Sequence, residues 1–259
     1  MNQVCAVVLT LNEARYLPGC LDSLRWADAC LVFDSFSTDG TVEIARQYGA
    51  QVIQHPFENY AQQRNVALQA VTQPWVLFVD ADERVPPLLA DEIQQVLANP
   101  AHAGWWIPRH NFIFRKLTLH AGWYPDYQLR LLRRDAACYD PARAVHELVQ
   151  LQGSAGHLQQ PLVHLNYETV EEFIEKQHRY MRYDASILHA QGQRTHLHNY
   201  VLQPLRQFYW RYVTLQGWRA GLHGLRLSGL MAYFQFWLYR YLAELNKTAT
   251  PARSPGAAG

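Results

Sequence analysis

Short apolar runs alternate with helical stretches through the first 85 residues, and this alternation constrains the fold more than any other feature. Four runs have the length and composition of strands, at Val4–Leu11, Ala29–Asp34, Gln51–Gln54 and Trp75–Val79. Helical spacing fills the intervals, at Glu13–Trp26, Thr41–Tyr48 and Tyr60–Ala70. Strands that alternate with helices predict an α/β fold with a mostly parallel sheet and right-handed crossovers.

The pattern changes after a helix predicted at Pro86–Leu97. Trp105–Tyr139 is rich in aromatic and basic residues with alternating polarity, which predicts antiparallel strands added beside the parallel ones. Thr169 and Glu172 have the spacing of a capping box, which opens a helix predicted to reach about Gln191. We expect a catalytic domain over residues 1–165, an amphipathic helical region over 166–247 and a disordered tail over 248–259.

The charge distribution indicates an anionic surface, and not nucleic acid, as a partner. The formal net charge is only +1, but Thr195–Lys247 has five arginines and one lysine against a single acid, Glu244. This stretch is therefore +5 and the rest of the chain −4. Its apolar positions have helical spacing, at Val201, Leu205, Phe208, Tyr212, Leu215, Phe234, Leu238, Tyr241 and Leu245. Such helices suit an anionic bilayer surface, although a helical lid or an oligomer contact would have the same pattern.

Cysteine usage and apolar run lengths indicate the compartment. The four cysteines have no Cys-X-X-Cys spacing, which favours a reducing compartment without a disulfide framework. The N-terminal residues do not resemble a secretory signal. The longest charge-free apolar run near the C-terminus, Leu227–Tyr239, has 13 residues, whereas a membrane span needs about 20. We expect a cytoplasmic protein that is peripherally associated with the inner membrane.

Residues 75–84 give the strongest indication of chemistry. Five apolar residues lead directly into Asp80-Ala81-Asp82. Side chains two apart on a strand point to the same face, so both carboxylates are expected to converge past a buried strand. Two hard oxygen donors suit Mg²⁺ or Mn²⁺, whose remaining ligands are usually substrate phosphates. The simpler alternative is a polar strand end with a helix-capping aspartate.

Other polar residues follow the neighbouring strands. Asn12 and Glu13 come after the first strand, and Asp34–Gly40 comes after the second. Asp34–Gly40 could bond a base or ribose, although Asp, Ser and Gly all favour turns and turn formation alone is the alternative. Arg64 offers a rigid fork for phosphate oxygens, although a plain surface arginine is the alternative. Because ligands bind at the carboxyl ends of parallel strands, these groups are expected to share one site.

Two carboxylates compete for the role of general base. Glu147 follows the added strands and is preferred, and Asp126 is its rival. His146, beside Glu147, could join the metal. His164 lies in the apolar run Leu162–Leu165 and is typical of a hydrogen-bonded core histidine.

Taken together, these motifs resemble family 2 glycosyltransferases with the GT-A fold, a Rossmann-like nucleotide-binding architecture. The resemblance rests on Val8–Glu13, Asp34–Thr41, Arg64-Asn65 and Phe78–Glu83. A second set is similar to lipopolysaccharide-core β-glucosyltransferases that modify inner-core heptose, namely Gly122–Arg134, Val145–Glu147 and Phe173–Tyr180. Phe36 departs from the family pattern, which often has glycine there, and is expected to narrow the nucleotide pocket or extend the loop.

The resemblance implies a role for each matching residue. Thr10, Asn12 and Glu13 would line the nucleotide pocket, Asp34 would contact the base, and Arg64 the base or phosphates. Asp80 would hold ribose or metal beside Ala81, and Asp82 would bind the metal that bridges the diphosphate. The implied reaction is an inverting, metal-dependent transfer of a hexose, expected to be glucose from UDP-glucose, to a lipid-linked saccharide acceptor.

Two other functions remain open from sequence. A sugar nucleotidyltransferase usually has a glycine-rich loop after its first strand, and Thr10–Arg15 has no glycine. A catalytically silent membrane-binding scaffold with the same fold would not need the intact Asp80 and Asp82. The sequence does not identify the donor sugar, the acceptor, the linkage position or the oligomeric state.

Overall fold

A computed structural model describes residues 3–141 and 149–248. These residues divide into two compact units. The first unit comprises residues 3–112 with 125–141 and 149–166, and the second comprises 113–124 with 167–248.

Four parallel strands form one half of the main sheet in the first unit. They are β1 (Val4–Thr10), β2 (Ala29–Asp34), β3 (Gln51–Gln54) and β4 (Trp75–Asp80). Their order is β3-β2-β1-β4, and the pairs β1–β2, β1–β4 and β2–β3 are parallel. This arrangement confirms the parallel sheet predicted from the alternation of strands and helices.

Helices cover both faces of these strands, which is why the strand sequences are apolar without alternation. The helices are α1 (Leu17–Ser23), α2 (Thr41–Gln47), α3 (Tyr60–Ala70) and α4 (Pro87–Ala98). Ala6 and Val8 of β1 lie in one core with residues of α1 and α4, whereas Cys5 and Val7 lie in a second core with residues of α3. Successive residues of β1 therefore pack into the cores on opposite faces of the sheet.

Helix α1 is shorter than predicted. Residues 14–16 form a turn, and the helix begins at Leu17 with a proline in its first turn. Proline is compatible with that position because its missing N–H has no intrahelical partner there. The helical spacing of the leucines was correct, but the polar residues before Leu17 belong to the loop that follows β1.

Antiparallel strands extend the sheet beyond β4, as predicted. Strand β8 (Tyr127–Arg133) is antiparallel to both β4 and β6 (Gly104–Ile113). Strands β12 (Leu162–Tyr167) and β5 (Glu83–Arg84) complete the order β4-β8-β6-β12-β5. Smaller strands are β9 (Ala137–Tyr139), β10 (Val149–Leu151) and β11 (Ala155–His157). The predicted α/β architecture is confirmed: a mixed sheet with added antiparallel strands and a C-terminal helical region.

Helices dominate the second unit. They are α5 (Val170–Ala190), α6 (Asn199–Tyr209) and α7 (Gly221–Thr248), with a π-helical turn at Trp210–Thr214 and a 3₁₀ turn at Gly217–Ala220. The short strand β7 (Lys116–Leu117) also belongs to this unit. The capping box of Thr169 and Glu172 is formed as predicted.

The apolar stripes of the C-terminal helices differ in burial. Phe234 and Leu238 of α7 lie in cores shared with α5. Val201 and Leu205 of α6 are exposed by 59% and 61%. The α7 stripe therefore has buried members, whereas the α6 stripe begins with exposed residues and continues with the half-buried Phe208, Tyr212 and Leu215. Within the described residues, every helix is too short or too polar to cross a membrane.

Candidate active site

The carboxyl ends of β1, β2 and β4 lie side by side at one edge of the sheet. Thr10 pairs with Asp34, and Leu9 pairs with Asp80. The polar residues that end or follow these strands are therefore neighbours, as the topology predicted. This edge of a parallel sheet is the ordinary place for a ligand.

The two aspartates of the Asp80-Ala81-Asp82 motif have different backbone settings. Strand β4 ends at Asp80, residues 81 and 82 form a turn, and Glu83 begins β5. The prediction that one continuous strand directs both carboxylates to the same face is wrong in this respect, because the strand ends between them. Ala81 is buried, and its carbonyl accepts a hydrogen bond of 2.9 Å from Arg84.

Two arginines neutralise Asp80. Arg130 donates from both terminal nitrogens to the Asp80 carboxylate, one bond being 3.1 Å long, and Arg64 Nη2 lies 3.9 Å from Asp80 Oδ1. Burial alone would raise the pKa of Asp80, but the charges of Arg130 and Arg64 outweigh it and hold that pKa well below its usual value. Asp80 is therefore a permanent anion, and much of its charge is already compensated.

Glu83 joins this ion pair to a second one. Its side chain is fully buried, and Oε2 accepts the backbone N–H of Asp80 at 2.9 Å. Glu83 Oε1 lies 3.2 Å from Arg109 and 3.5 Å from Arg130. Arg109 also donates to Asp126 Oδ2, from Nε at 2.9 Å and from Nη2 at 2.6 Å. Carboxylates and arginines thus form a continuous network along the strand ends.

The structure places Asp126 in a role different from that of a free base. Besides Arg109, Asn111 donates to its Oδ2 at 3.1 Å and Gln128 to its Oδ1 at 2.9 Å. Burial raises the pKa of Asp126, but the charge of Arg109 and these hydrogen bonds outweigh it and lower the pKa overall. A carboxylate held in this way is a weak proton acceptor, and its contacts are those of a group that orients its neighbours.

A relay of hydrogen bonds leads from Asp126 to Asp82. Because a carboxylate only accepts, the Asn111 amide must direct its NH₂ to Asp126, which turns its Oδ1 towards His164 Nδ1 at 2.7 Å. His164 Nδ1 is therefore the donor. In the neutral ring, Nε2 then has a lone pair, and this atom lies 3.4 Å from Asp82 Oδ2. Either a proton or a metal ion can join this lone pair to the Asp82 carboxylate.

This arrangement fits a divalent ion bound together with a substrate. In the described part of the chain, no three His, Cys, Asp or Glu side chains form a cluster that could hold a metal by themselves. Mg²⁺ and Mn²⁺ in phosphate sites often use only one or two protein ligands, and the substrate supplies the rest. A histidine ligand commonly donates its second N–H to a carbonyl oxygen, as His164 does to Asn111. His164 is hydrogen-bonded as predicted, but it also lies in the site.

The loop after β2 is organised around Asp34. This residue is fully buried and accepts hydrogen bonds from Thr10 Oγ1 at 3.0 Å, from Gln54 Nε2 at 3.1 Å and from the Ser37 backbone at 2.9 Å. Burial opposes ionisation, but the bonds from Ser37, Gln54 and Thr10 lower the pKa of Asp34 overall. Asp34 and Thr10 therefore fix the shape of the loop from within.

Residues after β1 and β2 are joined by hydrogen bonds from backbone N–H groups to side-chain oxygens. The Asn12 side chain accepts the Thr38 N–H at 2.8 Å, and the Glu13 N–H donates to Thr41 Oγ1 at 2.8 Å. Asn12 has a φ of +57° and Phe36 a φ of +60°. Glycine adopts such angles without steric cost, which explains its frequency at the position of Phe36. The Phe36 side chain is exposed by 54%, so the loop keeps its left-handed turn and presents the ring to solvent.

Arg64 is held rigidly beside the site. Its guanidinium stacks over Phe78 and Tyr139, at 4.9 and 5.8 Å from the ring centroids. Asn65 binds the backbone of Tyr139 in both directions, each bond being 2.8 Å long, and so ties α3 to β9. The proximity of Arg64 to Asp80 agrees with the predicted cluster.

The sequence did not identify four residues of this network, namely Glu83, Arg109, Asn111 and Arg130. It also gave His164 only a structural role, although this residue contacts Asp82. The alternation Leu129-Arg130-Leu131 was an available signal, because it puts one arginine on the face opposite to two apolar neighbours. The predicted metal ligand His146 and the preferred base Glu147 lie outside the described residues.

Comparisons with known proteins agree with this architecture. A sequence model of the family described as glycosyl transferase family 2 matches residues 5–142. The lipopolysaccharide core biosynthesis glycosyltransferase LpsC of Rhizobium meliloti (strain 1021) is 29% identical over 231 residues, which cover 85% of this chain and 84% of that protein. An uncharacterized glycosyltransferase of Rickettsia felis is 38% identical over 100 residues, or 38% of this chain and 35% of that protein.

Among solved structures, S. aureus TarS 1-349 covers 97% of this chain and 93% of its own, at 16% identity and a TM-score of 0.47. The match to the family extends over more than half of the 259 residues. The chain therefore belongs to glycosyl transferase family 2.

Proposed function

We propose that this glycosyltransferase moves a hexose from a nucleotide sugar, UDP-glucose, onto a heptose of the lipopolysaccharide inner core, with inversion at the anomeric carbon. The relative from Rhizobium meliloti, named for lipopolysaccharide core biosynthesis, supports the acceptor class. The resemblance of Gly122–Arg134 to inner-core β-glucosyltransferases supports the transferred sugar.

One observation carries the proposal: Asp82 Oδ2 and His164 Nε2 lie 3.4 Å apart at the edge where the carboxyl ends of the parallel strands meet. We assign Asp82 and His164 as the protein ligands of Mn²⁺ or Mg²⁺, and the imidazole favours a transition-metal ion. A cation held by Asp82 and His164 would supply positive charge to the diphosphate leaving group. Asp80 stays in its ion pair with Arg130, and His146 remains a ligand proposed from sequence alone.

The protein groups perform the rest of the displacement. An acceptor hydroxyl attacks C1, the C1–O bond to the diphosphate breaks, and a carboxylate takes the hydroxyl proton. We keep Glu147 as that base, on its sequence position. Asp126 is the weaker candidate because Arg109 and two amides already engage its oxygens. Thr10, Asn12, Glu13 and Asp34 shape the nucleotide pocket, and Arg64 faces the phosphates.

Asp82→Asn tests the proposal. The substitution keeps the shape of the side chain but removes its charge, so we expect at least about 100-fold weaker Mn²⁺-dependent release of UDP from UDP-glucose. Manganese binding in the presence of UDP, followed by electron paramagnetic resonance, should weaken in parallel. Asp91→Asn, at an exposed position of α4, is the matched control and should behave as the wild type.

The outcomes separate the competing functions. Transfer that survives Asp82→Asn with unchanged manganese binding contradicts the metal assignment. A wild-type protein that binds Mn²⁺ and UDP but transfers no sugar from any nucleotide sugar in a panel favours the silent scaffold. Formation of a nucleotide sugar from a sugar phosphate favours the nucleotidyltransferase.

We also propose peripheral association with an anionic membrane through α6. Leu202, Leu205 and Tyr209 follow one another at helical spacing and are exposed by 57, 61 and 61%. Arg206 lies among them and is exposed. Apolar residues flanked by arginine on one helix suit the interface of an anionic bilayer.

Vesicle binding tests this second proposal. We expect the protein to bind anionic vesicles and to be released by salt, because part of the attraction is electrostatic. Leu202→Ser with Leu205→Ser should weaken binding by roughly 100-fold, since each buried leucine contributes about 1.5 kcal/mol and about 1.4 kcal/mol is tenfold. Leu88→Ser, at a 66% exposed position in the first unit, is the control. Equal, salt-independent binding to neutral and anionic vesicles contradicts the proposal.

A further inference from the structure

A basic cavity lies in the second unit, formed by residues next to β7, the 3₁₀ turn and the start of α7. Its volume is about 490 Å³, and four of its eight lining residues are basic or can become so: Lys116, His120, Arg219 and His223. The other lining residues are three leucines and one alanine. No acidic residue in the described part of the chain lines the cavity, so its positive charges attract an anion.

The local field around His223 agrees with this charge. Burial is the main cause that lowers the pKa of His223, and the positive charges of Lys116 and Arg226 lower it further. The groups that face His223 are therefore cationic on both the β7 side and the α7 side. These effects favour the uncharged ring, so the fixed positive charge of the cavity comes from Lys116 and Arg219.

Hydrogen bonding determines which nitrogen of His223 has the proton. The Thr118 hydroxyl has one proton and donates it to the Lys116 carbonyl at 3.0 Å. Thr118 Oγ1 must then accept from His223 Nε2, which lies 2.9 Å away. In the neutral ring, Nδ1 is thus the nitrogen without a proton. Thr118 is buried, so this orientation is fixed by the fold.

The fixed charge of the cavity matches one chemical group. Lys116 and Arg219 supply two permanent positive charges, and a phosphate monoester has a charge of about −1.5 to −2 near pH 7. Arg219 is oriented by a hydrogen bond of 2.9 Å from Nη1 to Gln216, which leaves its other nitrogens as donors. A phosphate diester, with a single negative charge, would neutralise the site only in part.

The apolar part of the cavity indicates what the phosphate is attached to. Leu117, Leu119 and Leu222 line it and are exposed by 41, 38 and 84%. Trp218, the neighbour of Arg219, is exposed by 55%. Exposed leucines and a tryptophan beside cationic side chains suit the boundary between the headgroups and the acyl chains of a bilayer.

We propose that this cavity binds a phosphate monoester borne by a membrane amphiphile, with Lys116 and Arg219 on the phosphate and the leucines against the apolar part. The site is made only of residues of the second unit. It requires neither sugar transfer nor a bound nucleotide, so it can be tested separately from the proposed function.

The test compares vesicles of equal surface charge. Phosphatidylcholine vesicles contain either phosphatidic acid, a monoester, or phosphatidylglycerol, a diester, and sedimentation measures binding. We expect the wild type to prefer phosphatidic acid by at least about tenfold, the effect of one or two charge-assisted hydrogen bonds. Lys116→Ala with Arg219→Ala should abolish this preference while leaving a general attraction to both anionic vesicles.

A charge-matched variant serves as the control. Arg179→Ala with Arg194→Ala also removes two exposed positive charges, at positions outside the cavity, and should retain the preference. All four positions are exposed, so folding should be unaffected, and circular dichroism checks this. Equal binding of the wild type to both anionic vesicles overturns the proposal. So does an equal loss of preference in both double variants, or binding of soluble glycerol phosphate as tight as that of the vesicles.

Discussion

Glu83→Gln tests whether the sheet edge depends on a balanced cluster of buried charges. The cluster consists of three arginines and three carboxylates: Arg64, Arg109, Arg130, Asp80, Glu83 and Asp126. Glu83 is fully buried and lies 3.2 Å from Arg109 and 3.5 Å from Arg130. Glutamine keeps the shape and an oxygen for the Asp80 N–H, but it leaves the cluster with one positive charge in excess.

The expected loss of folding free energy depends on the ion-pair partners that Arg109 and Arg130 retain. Removing one partner of a buried ion pair costs about 3–5 kcal/mol, because the remaining charge is left uncompensated. After the substitution, Arg109 still has Asp126 and Arg130 still has Asp80. We therefore expect the lower end, a loss of about 3 kcal/mol. This is a large part of the roughly 5–15 kcal/mol that stabilises an ordinary domain.

Urea unfolding followed by tryptophan fluorescence measures this loss. Glu58→Gln, at an exposed position of the same unit, removes the same charge and should change the free energy of unfolding by at most about 0.5 kcal/mol. Adding Arg109→Gln to Glu83→Gln should cost less than the sum of the single changes, because the two residues interact directly. A Glu83→Gln protein as stable as the wild type, or strictly additive effects, would refute the reasoning.

Two further predictions concern stability. Asp80 and Asp126 have pKa values below those of an unfolded chain, so the stability that their ionised forms contribute is complete above about pH 5 and is lost as pH falls below about 4. Urea unfolding midpoints measured from pH 2 to 6 should show this loss. Asp126→Asn should make the midpoint depend less steeply on pH. Gly122→Ala should destabilise more than Gly49→Ala, which we expect to cost about 1 kcal/mol. Both glycines have positive φ, but only at Gly122 would a Cβ meet Leu215, at 2.8 Å; thermal unfolding compares them, and equal losses would contradict the steric argument.

Local patterns were sufficient to predict the sheet edge. The alternation of strands and helices determines a parallel sheet, and parallel strands bring their carboxyl ends to one edge. Thr10, Asp34 and Asp80 could therefore be placed together without any knowledge of pairing register. The observed pairing of Thr10 with Asp34 and of Leu9 with Asp80 confirms that inference.

The arginines could not be predicted in the same way, because they reach the site through long-range antiparallel pairing. Arg130 faces Asp80 only because β8 is antiparallel to β4, with Leu131 opposite Leu77. A shift of one residue would turn Arg130 to the other face. Arg109 depends in turn on the register of β6 with β8, which is irregular between Trp105 and Trp106. Neither register has a local sequence signal.

The charges of the edge divide it into two parts with different chemistry. Asp80, Glu83 and Asp126 are paired with arginines, so a diphosphate that approaches them meets a surface that is nearly neutral. Asp82 instead faces His164. The leaving group of the proposed reaction is an anion, and Asp82 with His164 is the described part of the edge that arginine does not neutralise. The arginine cluster thus provides rigidity, through Asn111 as far as the His164 ring. In the reaction that we propose, the charge that assists departure of the diphosphate would come from a cation held by Asp82 and His164.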